Sequence, residues 1–175
     1  MDNLDAVLSE LGIAPQMMAA RGLRRHEEAV ELEWVETIDH GKQFRLIPAA
    51  AQAWRDMKAG AANDGIALML VSAHRSVARQ VEIIREKLAA GRQIDEILTL
   101  VAPPGYSEHH TGRAIDIAIP EAPELEEEFE LTEAFHWLVQ HAGRFGFTLS
   151  YPRGNRDGYK YEPWHWCFQP TLAHG

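Results

Sequence analysis

Cysteine is nearly absent from this chain: Cys167 is the only one in 175 residues. No disulfide can form within the chain, and a cysteine-based zinc site of the finger type is excluded. Basic clusters are missing as well. The formal net charge is -9, and the nearest approach to a basic run, "RGLRRHEE" at 21–28, turns acidic at once. Nucleic acid and anionic membranes are held through basic patches, so neither is expected as a partner. No apolar run reaches the length of a membrane span. The opening residues, "MDNLDAVLSELGI", are acidic and amphipathic, without the basic start and apolar run of a leader peptide. On that ground a cytoplasmic location is expected, with a periplasmic one as the alternative. There is no internal repeat and no low-complexity linker.

What is present suits one domain of ordinary size: 46% of the residues are apolar. Residues 3–11 read as a short helix with Leu4, Val7, Leu8 and Leu11 on one face. "ELEWVETI" at 31–38 and "QFRLI" at 43–47 read as a hairpin across "DHGK". A helix is expected over 48–60, opened by Pro48 and closed by Gly60, and another over 76–90, capped by Ser76 and ended by Gly91. "IALMLVSA" at 66–73 reads as a buried strand between them. After a short helix and a long loop, "RAIDIAI" is the next strand. "PEAPELEEEFE" reads as a solvated acidic segment. A helix follows over 132–145 with Thr132 as its cap, then strands at 147–151 and 164–168 joined by the turn-rich "PRGNRDGYK". The expected fold is α+β: a single domain with a mostly antiparallel central sheet flanked by helices.

The chemistry concentrates in "SEHHTGRAIDIAI", residues 107–119. Side chains alternate across a strand, so Ile115, Ile117 and Ile119 face one way and Ala114, Asp116 and Ala118 the other. A carboxylate flanked by two alanines has room above it. His109 lies just upstream, and Gly112 lets the chain fold back toward the strand. Such a His and Asp are suitable ligands for a first-row metal, zinc foremost. Taken singly, a strand aspartate is usually at an edge or paired with arginine, and loop histidines are usually solvated.

"YKYEPWHWCF" near the C-terminus offers more. Glu162 and His165 lie three apart, which on an ideal strand means opposite faces, but Pro163 between them can break the strand and turn both to one side. Zinc hydrolases use three protein ligands, an open position and a separate carboxylate. His109, Asp116 and His165 as ligands with Glu162 as base meet that requirement. The ordinary readings are an exposed acid for Glu162 and a core histidine for His165.

"SEHHTGRAID" followed by "YEPWHW" resembles the VanY-type D-alanyl-D-alanine carboxypeptidases, a branch of the LAS zinc peptidases. Ser107, His109, Gly112, Ala114 and Asp116 fill the first family motif, and Glu162 and His165 the second. "SAHRS" at 72–76 with Gln80 matches a third element through Arg75 and Gln80, while Ala73 and His74 depart from it. The resemblance covers roughly residues 45–168. It implies a hedgehog/D-Ala-D-Ala-peptidase-like fold, with a catalytic domain over 41–170 preceded by an N-terminal helix and extension over 1–40. It also implies that His109, Asp116 and His165 hold Zn²⁺ and that Glu162 is the catalytic base and acid. Arg75 would stabilise the oxyanion or the substrate carboxylate, an attractive role for a rigid two-pronged donor, although a surface ion pair is its ordinary reading. Ser107 would help hold the terminal carboxylate, with Gln80 nearby. His74, in the place of a family tyrosine, is expected at the substrate.

The remaining histidines have weaker context. His110 is expected to turn away from the metal. His136 and His141 lack ligand spacing, and His26, His40 and His174 have no supporting neighbours. Trp164 and Trp166 are expected in the core, and Cys167 as a small buried residue.

The expected activity is therefore zinc-dependent removal of the terminal D-alanine from a peptidoglycan stem peptide or muropeptide. Both D,D- and L,D-carboxypeptidases share these motifs; a cytoplasmic enzyme would meet recycled tetrapeptides, which favours the L,D reaction. A D-Ala-D-Ala dipeptidase and a peptidoglycan endopeptidase are alternatives. From another class, the same fold serves as a non-catalytic zinc-containing binding module in hedgehog signalling proteins.

Overall fold

A computed structural model describes residues 2–37, 43–120 and 125–169. Two short helices, α1 (Asp2–Glu10) and α2 (Pro15–Ala20), lead into a hairpin of β1 (Glu33–Thr37) and β2 (Gln43–Leu46). Next come α3 (Pro48–Asn63), β3 (Met69–Ser72), α4 (Val77–Ala89) and α5 (Ile94–Ile97). A 3-10 turn over Glu108–Thr111 enters β4 (Ala114–Ala118); α6 (Glu133–His141), β5 (Phe147–Leu149) and β6 (His165–Phe168) follow. β1 and β2 form a sheet of their own, and the larger sheet has the order β3-β4-β6-β5 with every neighbour antiparallel. This is the α+β, mostly antiparallel architecture expected from the element order.

β4 is central, and all five of its residues are buried. Its isoleucines face a core that includes Trp54, Met57, Leu70, Leu138, Phe147 and Trp166. Each such side chain, once wholly buried, contributes about 1.5–3 kcal/mol through removal of apolar surface from water. The other face of β4 carries Ala114, Asp116 and Ala118. Because the alanines are small, the site is built over that face.

A second core lies at the other end of the chain. Leu8, Leu11, Ile13 and Met18 pack on Val81, Ile84, Ile97 and Leu98, docking α1 and α2 onto α4 and α5. Local signals set the helix starts. The Ser76 hydroxyl accepts the Arg79 N–H at 3.1 Å, and the Thr132 hydroxyl accepts the Phe135 N–H at 3.1 Å.

Two expected helix ends move. α3 runs past Gly60 to Asn63. Gly60 is there for close packing: a Cβ at that position would meet the Phe145 ring at 3.1 Å. The chain breaks instead at Gly65, whose φ of +79° is left-handed. α6 ends at His141, and residues 142–145 tighten into a 3-10 turn before Gly146. The "DHGK" turn, His40 and His174 fall outside the described residues.

Candidate metal centre and its cavity

Antiparallel pairing makes one row of side chains across the sheet. Asp116 on β4 is registered against Ser72 on β3 and His165 on β6. His109 enters from the 3-10 turn just before β4. Ser107 caps that turn, its hydroxyl accepting the His109 N–H at 3.3 Å. Gly112 closes the turn at φ +64°, and a Cβ there would come within 2.8 Å of Leu32, so only glycine suits the fold-back.

Asp116 sits between two imidazoles. Its Oδ2 is 3.2 Å from His109 Nε2, and its Oδ1 is 3.0 Å from His165 Nδ1. Donor atoms of the three residues all lie within 4.8 Å of one another, and all three side chains are buried. Each ring has an acceptor at both of its nitrogens. His109 Nδ1 lies 2.7 Å from the Ala73 carbonyl, which can only accept, so this nitrogen carries the proton. His165 Nε2 lies 2.9 Å from Glu108 Oε2, again an acceptor. Burial opposes charge on His165, but its hydrogen bonds with Asp116 and Glu108 outweigh it and push the ring up to about 10; were a metal bound, the ligating nitrogens would be those beside Asp116, His109 Nε2 and His165 Nδ1. Two oriented imidazoles and a carboxylate fit zinc in type and number, and the outer partners that fix each ring are of the kind that metal-binding histidines use.

Electrostatics follow the geometry. Burial opposes ionisation of Asp116, but the two histidines outweigh it and hold the carboxyl far below its ordinary value. Burial likewise disfavours charge on His109 and leaves its pKa lowered. At Glu108, burial is again outweighed, by the hydrogen bond with His165 and then by the Ser150 hydroxyl, which donates at 2.6 Å; its pKa is held at about 2. Glu162 behaves in the opposite way. Burial dominates and pushes its carboxyl up to about 7. Its Oε2 lies 3.8 Å from His165 Nδ1. Pro163 and Trp164 form a turn closed by the His165 N–H on the Glu162 carbonyl at 3.1 Å. That turn, rather than a regular strand, brings the two side chains to one side.

Arg75 is no surface ion pair. It lines the same cavity of about 350 Å³ as Ser107, His109, Asp116, Glu162 and His165. Its guanidinium donates to Gln80 Oε1 at 3.1 Å and to the Ser72 hydroxyl at 3.1 Å. Among the described residues, no carboxylate lies within ion-pair distance of it. Burial lowers its pKa, with Asp116 and then Glu162 acting against that from further off.

Of the two further residues expected at the substrate, Gln80 lines the cavity and His74 does not. Gln80 is wholly buried, and both ends of its amide are used: Oε1 by Arg75 and Nε2 by the Ala102 carbonyl at 2.7 Å. It therefore orients Arg75. The His74 backbone N–H is tied to the Arg45 carbonyl on β2 at 3.0 Å, which holds this residue at the hairpin side. His110 does turn away. Its Nδ1 donates to the Arg75 carbonyl at 2.7 Å, and its Nε2 accepts the Gly105 N–H at 3.1 Å. Trp166 joins the core, Trp164 packs at its edge while lining the cavity, and Cys167 is buried.

Sequence reasoning missed Glu108, Ser150 and Tyr151, whose ring lies 4.6 Å from that of His165. Only the position of Glu108 beside His109 hinted at a role.

A buried His–Asp–His donor set with an isolated carboxyl at its edge defines a mononuclear metal centre of the zinc-peptidase type. Residues 43–171 match the family model described as VanY, D-alanyl-D-alanine carboxypeptidase. The chain belongs to that family. It is 39% identical over 121 residues to YodJ of Bacillus subtilis (strain 168), an alignment covering 66% of this chain and 43% of that protein. It thus spans less than half the length of that relative. Among solved structures, the LdcB LD-carboxypeptidase superposes with a TM-score of 0.65 at 33% identity, covering 82% of this chain and 66% of that one. A VanY D,D-pentapeptidase variant in complex with Zn(II) superposes with a TM-score of 0.61 at 29% identity, covering 80% and 79%.

Proposed function

We propose that this protein is a zinc-dependent carboxypeptidase that releases the terminal D-alanine of peptidoglycan stem peptides. One observation carries the reading: a single cavity holds three candidate metal donors, a carboxyl 3.8 Å from one of them, and a half-buried guanidinium with no carboxylate partner among the described residues. His109, Asp116 and His165 would hold the metal. Zinc, when bound, supplies Lewis acidity, activating water near neutral pH and polarising a carbonyl.

The chain's own residues do the rest. Glu162 takes the proton of the attacking water and passes it to the leaving amine. A carboxyl raised to about 7 serves both transfers near neutrality, because it both accepts and releases a proton there. Arg75 offers a planar pair of donors to a substrate carboxylate or a developing oxyanion, and Gln80 and Ser72 hold that plane in place. Ser107 accepts a backbone N–H through its oxygen, which leaves its own proton for the terminal carboxylate.

Of the two specificities we take the L,D reaction on tetrapeptides, supported by the likeness to LdcB. The test is incubation of the zinc-loaded protein with tri-, tetra- and pentapeptide muropeptides, with products identified by mass. Loss of one alanine from the tetrapeptide is expected. Loss from the pentapeptide alone would make it a D,D-enzyme, and release of a dipeptide would make it a dipeptidase. Bound zinc with no cleavage of any of the three would overturn the enzymatic reading.

A further inference from the structure

Residues before 43 lie outside the matched family region, yet they reach every loop that carries a site residue. The His26 N–H donates to the Gly105 carbonyl and the Ala29 N–H to the His110 carbonyl, each at 2.8 Å, on the loop that presents Ser107 and His109. Glu28 Oε2 accepts the Val77 N–H at 2.7 Å, just beyond Arg75. The third loop, between β5 and β6, carries Glu162, and there the contact is made by one side chain.

That side chain is Arg21, the residue ending α2. Its Nε donates to the Asp157 carbonyl at 2.6 Å, and its Nη1 donates to the Leu98 carbonyl at the end of α5 at 2.8 Å. The guanidinium lies 4.3 Å over the Tyr159 ring. Gly158, at φ +72°, makes room for it: a Cβ there would come within 3.3 Å of Arg21 Nε. From this clamp the loop runs inward. The Tyr159 ring meets Tyr151 at 4.8 Å, Tyr151 meets His165 at 4.6 Å, and the Glu162 N–H bonds the Tyr151 carbonyl at 3.1 Å. The base of the clamp is rigid, because Met18 and Leu98 share the second core.

We propose that Arg21 is a positioning residue for the Glu162 loop, so that the N-terminal segment completes the active site rather than merely extending the fold. The planar fork of arginine suits this role. It spans two carbonyls on different elements while stacking on an aromatic ring, which a lysine ammonium cannot do. A displacement of Glu162 of about 1 Å is enough to cost on the order of 10²-fold in rate.

The inference rests on the carboxypeptidase reading, and its test keeps the two separable. Arg21→Met keeps the apolar stem and removes both hydrogen bonds; Arg21→Lys keeps the charge. Both are compared with the parent protein for zinc affinity by chelator competition, for kcat and KM on the muropeptide cleaved by the parent, and for amide hydrogen exchange. In Arg21→Met we expect kcat to fall roughly 10- to 100-fold, zinc affinity to stay within about threefold, and exchange to speed up at residues 155–160 with little change in β3 and β4. Arg21→Lys should recover only part of the rate. A lowered melting temperature with unchanged kcat and unchanged loop exchange would reduce Arg21 to a structural contact and overturn the proposal. So would faster exchange throughout the chain accompanied by loss of zinc. If the parent cleaves no stem peptide, the functional reading falls, and loop exchange alone decides the role of Arg21.

Discussion

Asp116 and His165 are direct cross-strand partners on β4 and β6, and their facing atoms, Oδ1 and Nδ1, lie 3.0 Å apart. Backbone pairing between two central strands therefore fixes two of the three candidate metal donors. The third, His109, is held by its own outer hydrogen bond to Ala73. Such a site is preformed, so little ordering cost opposes metal binding.

Purified protein should accordingly carry one zinc per chain. His109→Ala and His165→Ala should lose it, while His110→Ala should keep it, since both ring nitrogens of His110 are bonded to backbone groups elsewhere. Metal analysis by mass spectrometry reads this directly. Zinc lost from His110→Ala and kept in His109→Ala would sink the assignment. Chelation should abolish turnover of the parent, with recovery on return of zinc.

Glu162→Gln should retain zinc and fold but lose about 10²–10⁴-fold in kcat, the usual contribution of a general acid–base group. The sign of the pH dependence follows from its role. A base works deprotonated, and burial has raised this carboxyl to about 7. Activity should therefore rise with pH as Glu162 ionises and fall on acidification. A bound divalent cation favours the carboxylate, so the midpoint of the acidic limb should lie at or below 7. A kcat/KM profile that falls as pH rises through this range would put the base elsewhere.

Arg75→Lys should fail despite keeping the charge, because lysine cannot present two donors held in one plane. The informative comparison is kcat/KM on a tetrapeptide and on the same peptide amidated at its C-terminus. A large loss for the acid with a small one for the amide would place Arg75 on the terminal carboxylate. Equal large losses would place it on the oxyanion. No loss on either, with zinc and fold intact, would remove it from the site.

His110 should matter for stability instead. His110→Ala leaves the Gly105 N–H and the Arg75 carbonyl without their partner, and each buried unmet group costs about 1–3 kcal/mol. Chemical denaturation should show a loss of roughly 2–6 kcal/mol. Burial also lowers the folded-state pKa of His110 from 6.5 to about 4. Between those values the unfolded chain takes up the proton and the folded one does not. Stability should thus fall as pH drops from 6.5 toward 4, by up to ~1.4 kcal/mol per pH unit for this group. His110→Ala should lack that component; an unchanged pH slope in the variant would rule it out.

Much of this was legible in the amino-acid order. The alternation in "RAIDIAI" announced a strand with isoleucines on the core side and Asp116 on the other. Ser76 and Thr132 announced helix starts, and the paired motifs at 107–116 and 162–165 announced groups that meet in one cavity. These readings succeed because strand alternation, capping and short motif spacing are local properties of the backbone. Gly60 misled for the converse reason. A glycine inside a helical pattern looks like a stop, and only the Phe145 ring packed over it reveals another purpose.

The residue order by itself determined the kinds of groups at the centre: two imidazoles, one carboxylate ligand and a separate acid, on an acidic α+β chain with a single cysteine. Tertiary structure alone decided how those groups are aimed. Glu108 reaches His165 from 57 residues away, Gln80 holds Arg75, and Arg21 meets a loop 136 residues further along. Such contacts depend on strand register and on how loops converge over the sheet. Both are set by packing between distant segments, which leaves no period or spacing in the chain from which they can be read.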